Sequence, residues 1–281
     1  MSDVQRDPTR TAGNTTRVIE WVKRKAAAIG LTIAVTGAFV AMVSGLGYQA
    51  GFWPLFPAFR LLAAGVYGAA GAAIICAVAL LINVIKYKTD FVSRSGVAIL
   101  GLLIGGVVYY VPNSLLISNP PPIHDVTTDF DNPPSFIEVL PLRETTGAKN
   151  THRYKREWKM GDGENARVIN VVELQKKHFQ DIRPVMFEGK GYQEVFQKAL
   201  QAAKKQRWTI ISVRPELGRI EAFDKTPWFG FYDDVVIRVT EAHGGTRVDI
   251  RSNSRIGLGD VGKNAQRIRQ YIRDLAGTNS H

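Results

Sequence analysis

The chain has 281 residues, 45% of them hydrophobic, with 36 Lys+Arg against 25 Asp+Glu and one cysteine. A single cysteine, Cys76, excludes a disulfide framework or a thiolate metal site within the chain. The net charge of +11 points first to nucleic acid or anionic lipid, but residues 1–117 hold 10 Lys+Arg against 4 Asp+Glu and residues 118–281 hold 26 against 21. Nucleic-acid binding needs a concentrated basic face, so no nucleic-acid partner is expected.

Residues 1–25 are polar and carry Arg6, Arg10, Arg17, Lys23, Arg24 and Lys25, and the first dozen or so are expected to be disordered. Three apolar runs follow, Ala26–Tyr48, Leu61–Ile85 and Gly96–Ile117. Each is long enough to cross a bilayer core as a helix, and Pro112 is expected to end or kink the third. Lys86, Lys88 and Arg94 join the basic flank on one side, whereas the loop between the first two runs holds only Arg60. Basic flanks mark the cytoplasmic side, which puts the N-terminus inside and the segment after the third helix outside. Trp53, Phe56, Tyr109 and Tyr110 then fall at the outer interface.

No Asp, Glu, Lys, Arg or His lies within a span, which argues against transport. Small residues recur every four positions, at Gly37, Ala41 and Gly45, at Gly65, Ala69 and Ala73, and at Gly101 and Gly105. Such rows let helix backbones pack closely. They imply an anchoring three-helix bundle and leave open a homo-oligomer or another envelope protein as partner.

Residues 118–141 read as a stiff Pro-rich linker, from Asn119-Pro120-Pro121-Pro122 to Pro141. It carries His124, Asp125, Asp129 and Asp131, oxygen and imidazole groups that could suggest Ca²⁺ or acid–base work. The loop lacks a glycine-centred turn of the EF-hand kind, and neither a metal nor any cofactor is expected.

Residues 142–281 read as an α+β domain ordered helix, four antiparallel strands, helix. Glu144–Asp162 is polar and basic, with Trp158 as a packing anchor, and Val168–Leu174 reads as extended. Tyr192, Val195, Phe196, Ala199, Leu200 and Ala203 recur at helical spacing. Strands are expected over Trp208–Val213, Arg219–Phe223, Phe229–Thr240 and Thr246–Ser252, with a tight turn at His243-Gly244-Gly245. Alternation puts Val235, Ile237, Val239, Val248 and Ile250 toward the helices. Arg238, Asp249 and Arg251 face the other way, as a salt network or an anion-binding surface.

Gly257-Leu258-Gly259-Asp260-Val261-Gly262 matches G-x-G-x-x-G. The dinucleotide reading is refused, because that fold needs a further parallel strand. Asp260 is instead expected to cap the closing helix. Arg255, Lys263, Asn264 and Arg267 nearby leave an anion site at that helix start as one other reading, and a pairing of Asp260 with Arg255 or Arg267 that locks the turn as the favoured one. Pro227-Trp228-Phe229-Gly230-Phe231-Tyr232 is either core or an interfacial aromatic cluster.

Arg251-Ser252-Asn253-Ser254-Arg255-Ile256-Gly257, followed by Asp260, Gly262, Asn264-Ala265 and Arg267-Ile268-Arg269, resembles the signature of a bacterial and plastid family, domain of unknown function 1499 (DUF1499). Ile123-His124-Asp125-Val126-Thr127-Thr128-Asp129 and the pair Asp233-Asp234 are similar to it too. The resemblance covers roughly residues 123–276. It implies a compact α+β domain, often joined to membrane segments, and no reaction.

The expectation is therefore a non-catalytic envelope protein: a three-span anchor in the cytoplasmic membrane of a bacterium presenting a periplasmic domain. Its ligand-binding residues are expected to be Arg251, Ser252, Ser254, Arg255, Asp260, Asn264, Arg267 and Arg238, for a partner or a small anionic or lipid ligand. The rival is a hydrolase using Asp233, Asp234, His124 and Asp129.

Overall fold

The computed structural model describes residues 8–86, 91–117, 120–161, 163 and 166–277. Residues 1–7 of the basic tail, Lys88 and Asn119 therefore lie outside the described residues. Two compact units are present, Met1–Ile117 and Ser118–His281.

The first unit is three helices, α1 (Pro8–Gln49), α2 (Leu55–Lys86) and α3 (Phe91–Ile117). Helix α1 already begins at Pro8, inside the stretch expected to be disordered. Among the described residues, three segments are long and apolar enough to cross a membrane: Lys25–Gln49, Leu55–Ile85 and Ser95–Ser114. The packing inverts that of a water-soluble bundle. Ala34, Ala41, Ala69, Ala72, Cys76 and Ala98 are buried, while Phe39, Leu81 and Leu103 are about 60% exposed. Small residues inside and large apolar ones outside suit a lipid surround. A Cβ on Gly37 would stand 2.7 Å from Gly65 O, and one on Gly105 would stand 2.3 Å from Ala69 O. The small-residue rows are thus used within the bundle, and these close approaches are why they are small.

Pro112 does not end α3, which continues to Ile117. The amide of Asn113 donates to Tyr109 O at 2.7 Å, meeting a carbonyl of the turn that the proline disturbs. The Trp53 indole donates to Ser44 O at 2.9 Å and ties the α1–α2 turn.

The second unit contains β1 (Asp125–Thr127), α4 (Leu140–Thr145), β2 (Glu157–Met160), β3 (Arg167–Asn170), α5 (Val171–His178), β4 (Val185–Glu188), α6 (Tyr192–Lys205), β5 (Thr209–Arg214), β6 (Arg219–Lys225), β7 (Tyr232–Ala242), β8 (Gly245–Ser254) and α7 (Lys263–Gly277). The expected four strands, β5 to β8, form an antiparallel meander, and β1 and β4 pair in turn with the far side of β8. A separate β2–β3 ribbon lies outside this sheet. Val168–Leu174, expected extended, is half strand and half helix: Asn170 closes β3 and caps α5 by accepting from Glu173 N at 3.0 Å.

Helices α6 and α7 cover one sheet face, as the alternation required. Phe196, Ile220, Val235, Ile237, Val248, Ile250, Ile268, Tyr271 and Leu275 pack in that core. The stretch expected to be a linker is part of the domain. Ile123 and Val126 enter the main core, while Phe136 and Val139 pack on Val236 against the opposite face of the sheet. Buried Glu221 fastens that covering segment by accepting from the N–H groups of Ile137, Glu138 and Val139 at 2.9–3.1 Å.

Candidate functional site

The signature residues lie mainly on β8 and at the start of α7, and alternation sorts them onto two faces. On the face away from the helices, Arg251 forks Asp125 at 2.9 and 2.7 Å. It also donates to Pro134 O and His152 O at 3.1 and 2.8 Å. Its guanidinium lies between the rings of Phe136 and Tyr154, at 4.8 and 5.4 Å. One strand over, Asp234 accepts from Arg255 at 2.6 Å and from Arg143. Arg143 also donates to Asn253 Oδ1 at 3.0 Å and Asn150 O at 2.6 Å.

On the helix face, Arg267 reaches Asp233 at 2.7 Å and Asp224 at 2.8 Å. It also donates to Asn264 Oδ1 at 2.7 Å and Ser252 Oγ at 3.1 Å. Asn264 donates to Ser254 Oγ and His124 O at 2.9 and 3.0 Å. Asp260 caps the helix as expected, accepting from Gly262 N at 2.8 Å and Asn264 N at 2.6 Å. It pairs with neither Arg255 nor Arg267. Burial pushes its carboxyl up to about 6 against those two N–H bonds. Gly257 and Gly262, at φ 96° and 78°, supply the left-handed turn on either side of the cap.

The expected open surface from Arg251 to Arg267 is therefore a buried network. Arg251, Ser252, Ser254, Arg255, Asp260, Asn264 and Arg267 are all buried and hydrogen-bonded to neighbours. The reason is tertiary: β8 is paired on both sides and the 128–156 segment lies over its polar face. Arg238 is the exception, partly exposed and joined with Arg247 to Asp129 and Asp249 at 2.9–3.0 Å. Among the described residues no group of His, Cys, Asp and Glu is placed to hold a metal. Asp129 is already saturated: one oxygen accepts from Asp131 N and Asn132 N, the other from Arg238 and Arg247. Burial acts to raise the Asp129 carboxyl, but those N–H bonds and the two arginines outweigh it and hold it below its usual value.

The residues of the hydrolase reading are not gathered in one pocket. Asp233 and Asp234 point to opposite sheet faces, each in arginine pairs, and Asp129 belongs to the Arg238 cluster. His124 faces none of them. Its Nδ1 lies 3.3 Å from Leu258 O and its ring packs 5.8 Å from Trp158. Burial holds the imidazole below its usual value, with the Leu258 hydrogen bond opposing. The aromatic cluster at 227–232 packs on itself apart from the main core, with Phe229 buried beside Trp228 and Phe231 and those two half-buried.

A concavity lies beside the network. An open cleft of about 590 Å³ is lined by His124, Trp158, Lys149, Arg153, Lys155 and Lys159 among others. Among the described residues these four cations are in no ion pair, while the one carboxylate in the wall, Asp125, is committed to Arg251. The Trp158 Nε1 and Tyr154 Oη atoms are buried without a hydrogen-bond partner among the described residues. Sequence reasoning missed the four cations as a site. Their signal was the basic character of residues 144–162 around one tryptophan; what it lacked was the β2–β3 ribbon that folds them around a hollow.

No curated protein and no solved structure matches the chain. A family model described as "Protein of unknown function (DUF1499)" matches residues 125–275, more than half of the chain, from the first residue of β1 to the last buried leucine of α7. With its signature residues accounted for as the network that closes this sheet, the chain belongs to the DUF1499 family.

Proposed function

We propose that this is a non-catalytic envelope protein, anchored in a cytoplasmic membrane by α1–α3, whose second unit works on the outer side and binds an anionic ligand in the Lys149–Lys159 cleft. The supporting observation is the imbalance of charge there: Lys149, Arg153, Lys155 and Lys159 line one hollow without ion pairs among the described residues. Elsewhere in the unit, the buried cations Arg143, Arg251, Arg255 and Arg267 are each matched to a carboxylate. Unmatched cations around a concave surface raise the local concentration of anions. The outer address rests on the distribution of Lys and Arg between the loops.

A ligand that binds only the folded state raises the unfolding midpoint. Inorganic pyrophosphate is expected to raise that of the full chain in neutral detergent, and K155Q/K159Q to lose most of the rise. These lysines are on the surface, so the variant's own fold should persist. An unaltered response in the variant, or none in the parent, overturns the assignment.

A further inference from the structure

We propose that the anion held in the cleft is a phosphate carried on an organic group, with the phosphate among Lys149, Arg153, Lys155 and Lys159 and the apolar part against Trp158 and out past Leu258. This rests on reading the cleft as an anion site and goes on to name the ligand's chemistry. Three of the four cations are lysines, compact charges that suit a tetrahedral oxyanion. The guanidinium fork matches carboxylate and phosphate alike, and the chain's own buried carboxylates are met by arginines, which sets the lysine-rich cleft apart from them.

Size adds to this. A hollow of about 590 Å³ is in the range of sites for whole small molecules, far more than a bare phosphate fills. The indole of Trp158 and the side chain of Val171 give its wall an apolar stretch. On the turn next to the lining residues, Leu258 is 61% exposed and offers an apolar side chain. That turn is fastened to two residues of the wall: Leu258 O lies 3.3 Å from His124 Nδ1, and Gly257 O accepts from Asn150 Nδ2 at 2.9 Å. A phosphate beside an apolar lip fits a lipid headgroup. A free phosphate compound offers the same oxyanion without needing the lip.

The test is calorimetric titration of the full chain in neutral detergent at fixed ionic strength, against micelle blanks. The probes are inorganic pyrophosphate, sulfate, citrate, dihexanoylphosphatidylglycerol and dihexanoylphosphatidylcholine. Both phosphate anions are expected to bind at least about tenfold more tightly than sulfate or citrate, and K155Q/K159Q to weaken them by about tenfold or more. Leu258→Ser is expected to weaken phosphatidylglycerol several-fold and leave pyrophosphate unchanged, which assigns the site to headgroups. Insensitivity of every probe to Leu258→Ser, with the phosphate preference kept, assigns it to free phosphates. Equal binding of sulfate, citrate and pyrophosphate overturns the phosphate assignment but leaves the anion site standing. Absence of binding by all the anions overturns both.

Discussion

Arg251 shows what a buried guanidinium does when every neighbour is arranged for it. It is 2% exposed, forks one carboxylate, holds two carbonyls of the covering segment and is stacked between two rings. Removing one partner of a buried pair leaves the other charge without compensation, at about 3–5 kcal/mol. Arg251→Ala should therefore lower the unfolding free energy by about that amount, read from near-UV circular dichroism during denaturation. Arg251→Lys should recover only part, since an ammonium cannot fork Asp125. A variant with parental stability would remove this account of the signature. Asp260 gives a pH signature of the opposite kind to a salt-bridged acid. Its folded value of about 6 lies above the ordinary 3.8, so the folded state holds the proton more tightly. The stability this confers is full below about pH 4 and is lost as pH rises through about 6. Asp260→Asn keeps an acceptor for the cap and does not titrate. Relative to the parent, its stability should climb by up to about 3 kcal/mol between pH 4 and 6; a constant difference across that window would contradict the burial argument.

Among the elements, the long ones were legible and the short ones were not. Helices α6 and α7 and strands β5 to β8 each carry enough residues for alternation or helical spacing to show. Strands β1 and β4 have three and four residues, and β1 is Asp-Val-Thr, whose polar side chains are buried by pairing with β8 rather than by apolar pattern. Prolines at 120–122 and 133–134 suggested a linker, because composition does not reveal that Glu221 collects three backbone N–H groups from that segment. The site was legible in part. The motif residues do converge, but strand alternation could not show whether their outer face was solvent or covered chain. In the bundle the small-residue rows lead to a paired prediction. Gly105 faces backbone at 2.3 Å whereas Gly106 has open space around it. Gly105→Val should lower the thermal midpoint in detergent and broaden the gel-filtration peak, while Gly106→Val should behave as the parent. Equal behaviour of the two would mean the rows do not set the helix packing.

For the whole molecule, the proposed topology, three crossings with a cytoplasmic N-terminus, would deliver the second unit across the membrane. An alkaline phosphatase reporter placed after His281 is expected to be active and a fluorescent protein there to be dark; the reverse pattern would move the cleft, and its possible ligands, to the cytosol. Delivery has a further consequence through strand β1. Asp125 and Arg251 are 126 residues apart in the chain, and among the described residues β1 pairs in the sheet with β8 alone. Until Arg251 has emerged, an exported chain holds the first strand and a naked carboxylate with nothing to close on. Contacts this distant in sequence are slow to form. The polypeptide should thus stay threadable and protease-sensitive for nearly the whole of its passage, and snap shut only as the C-terminal helix arrives.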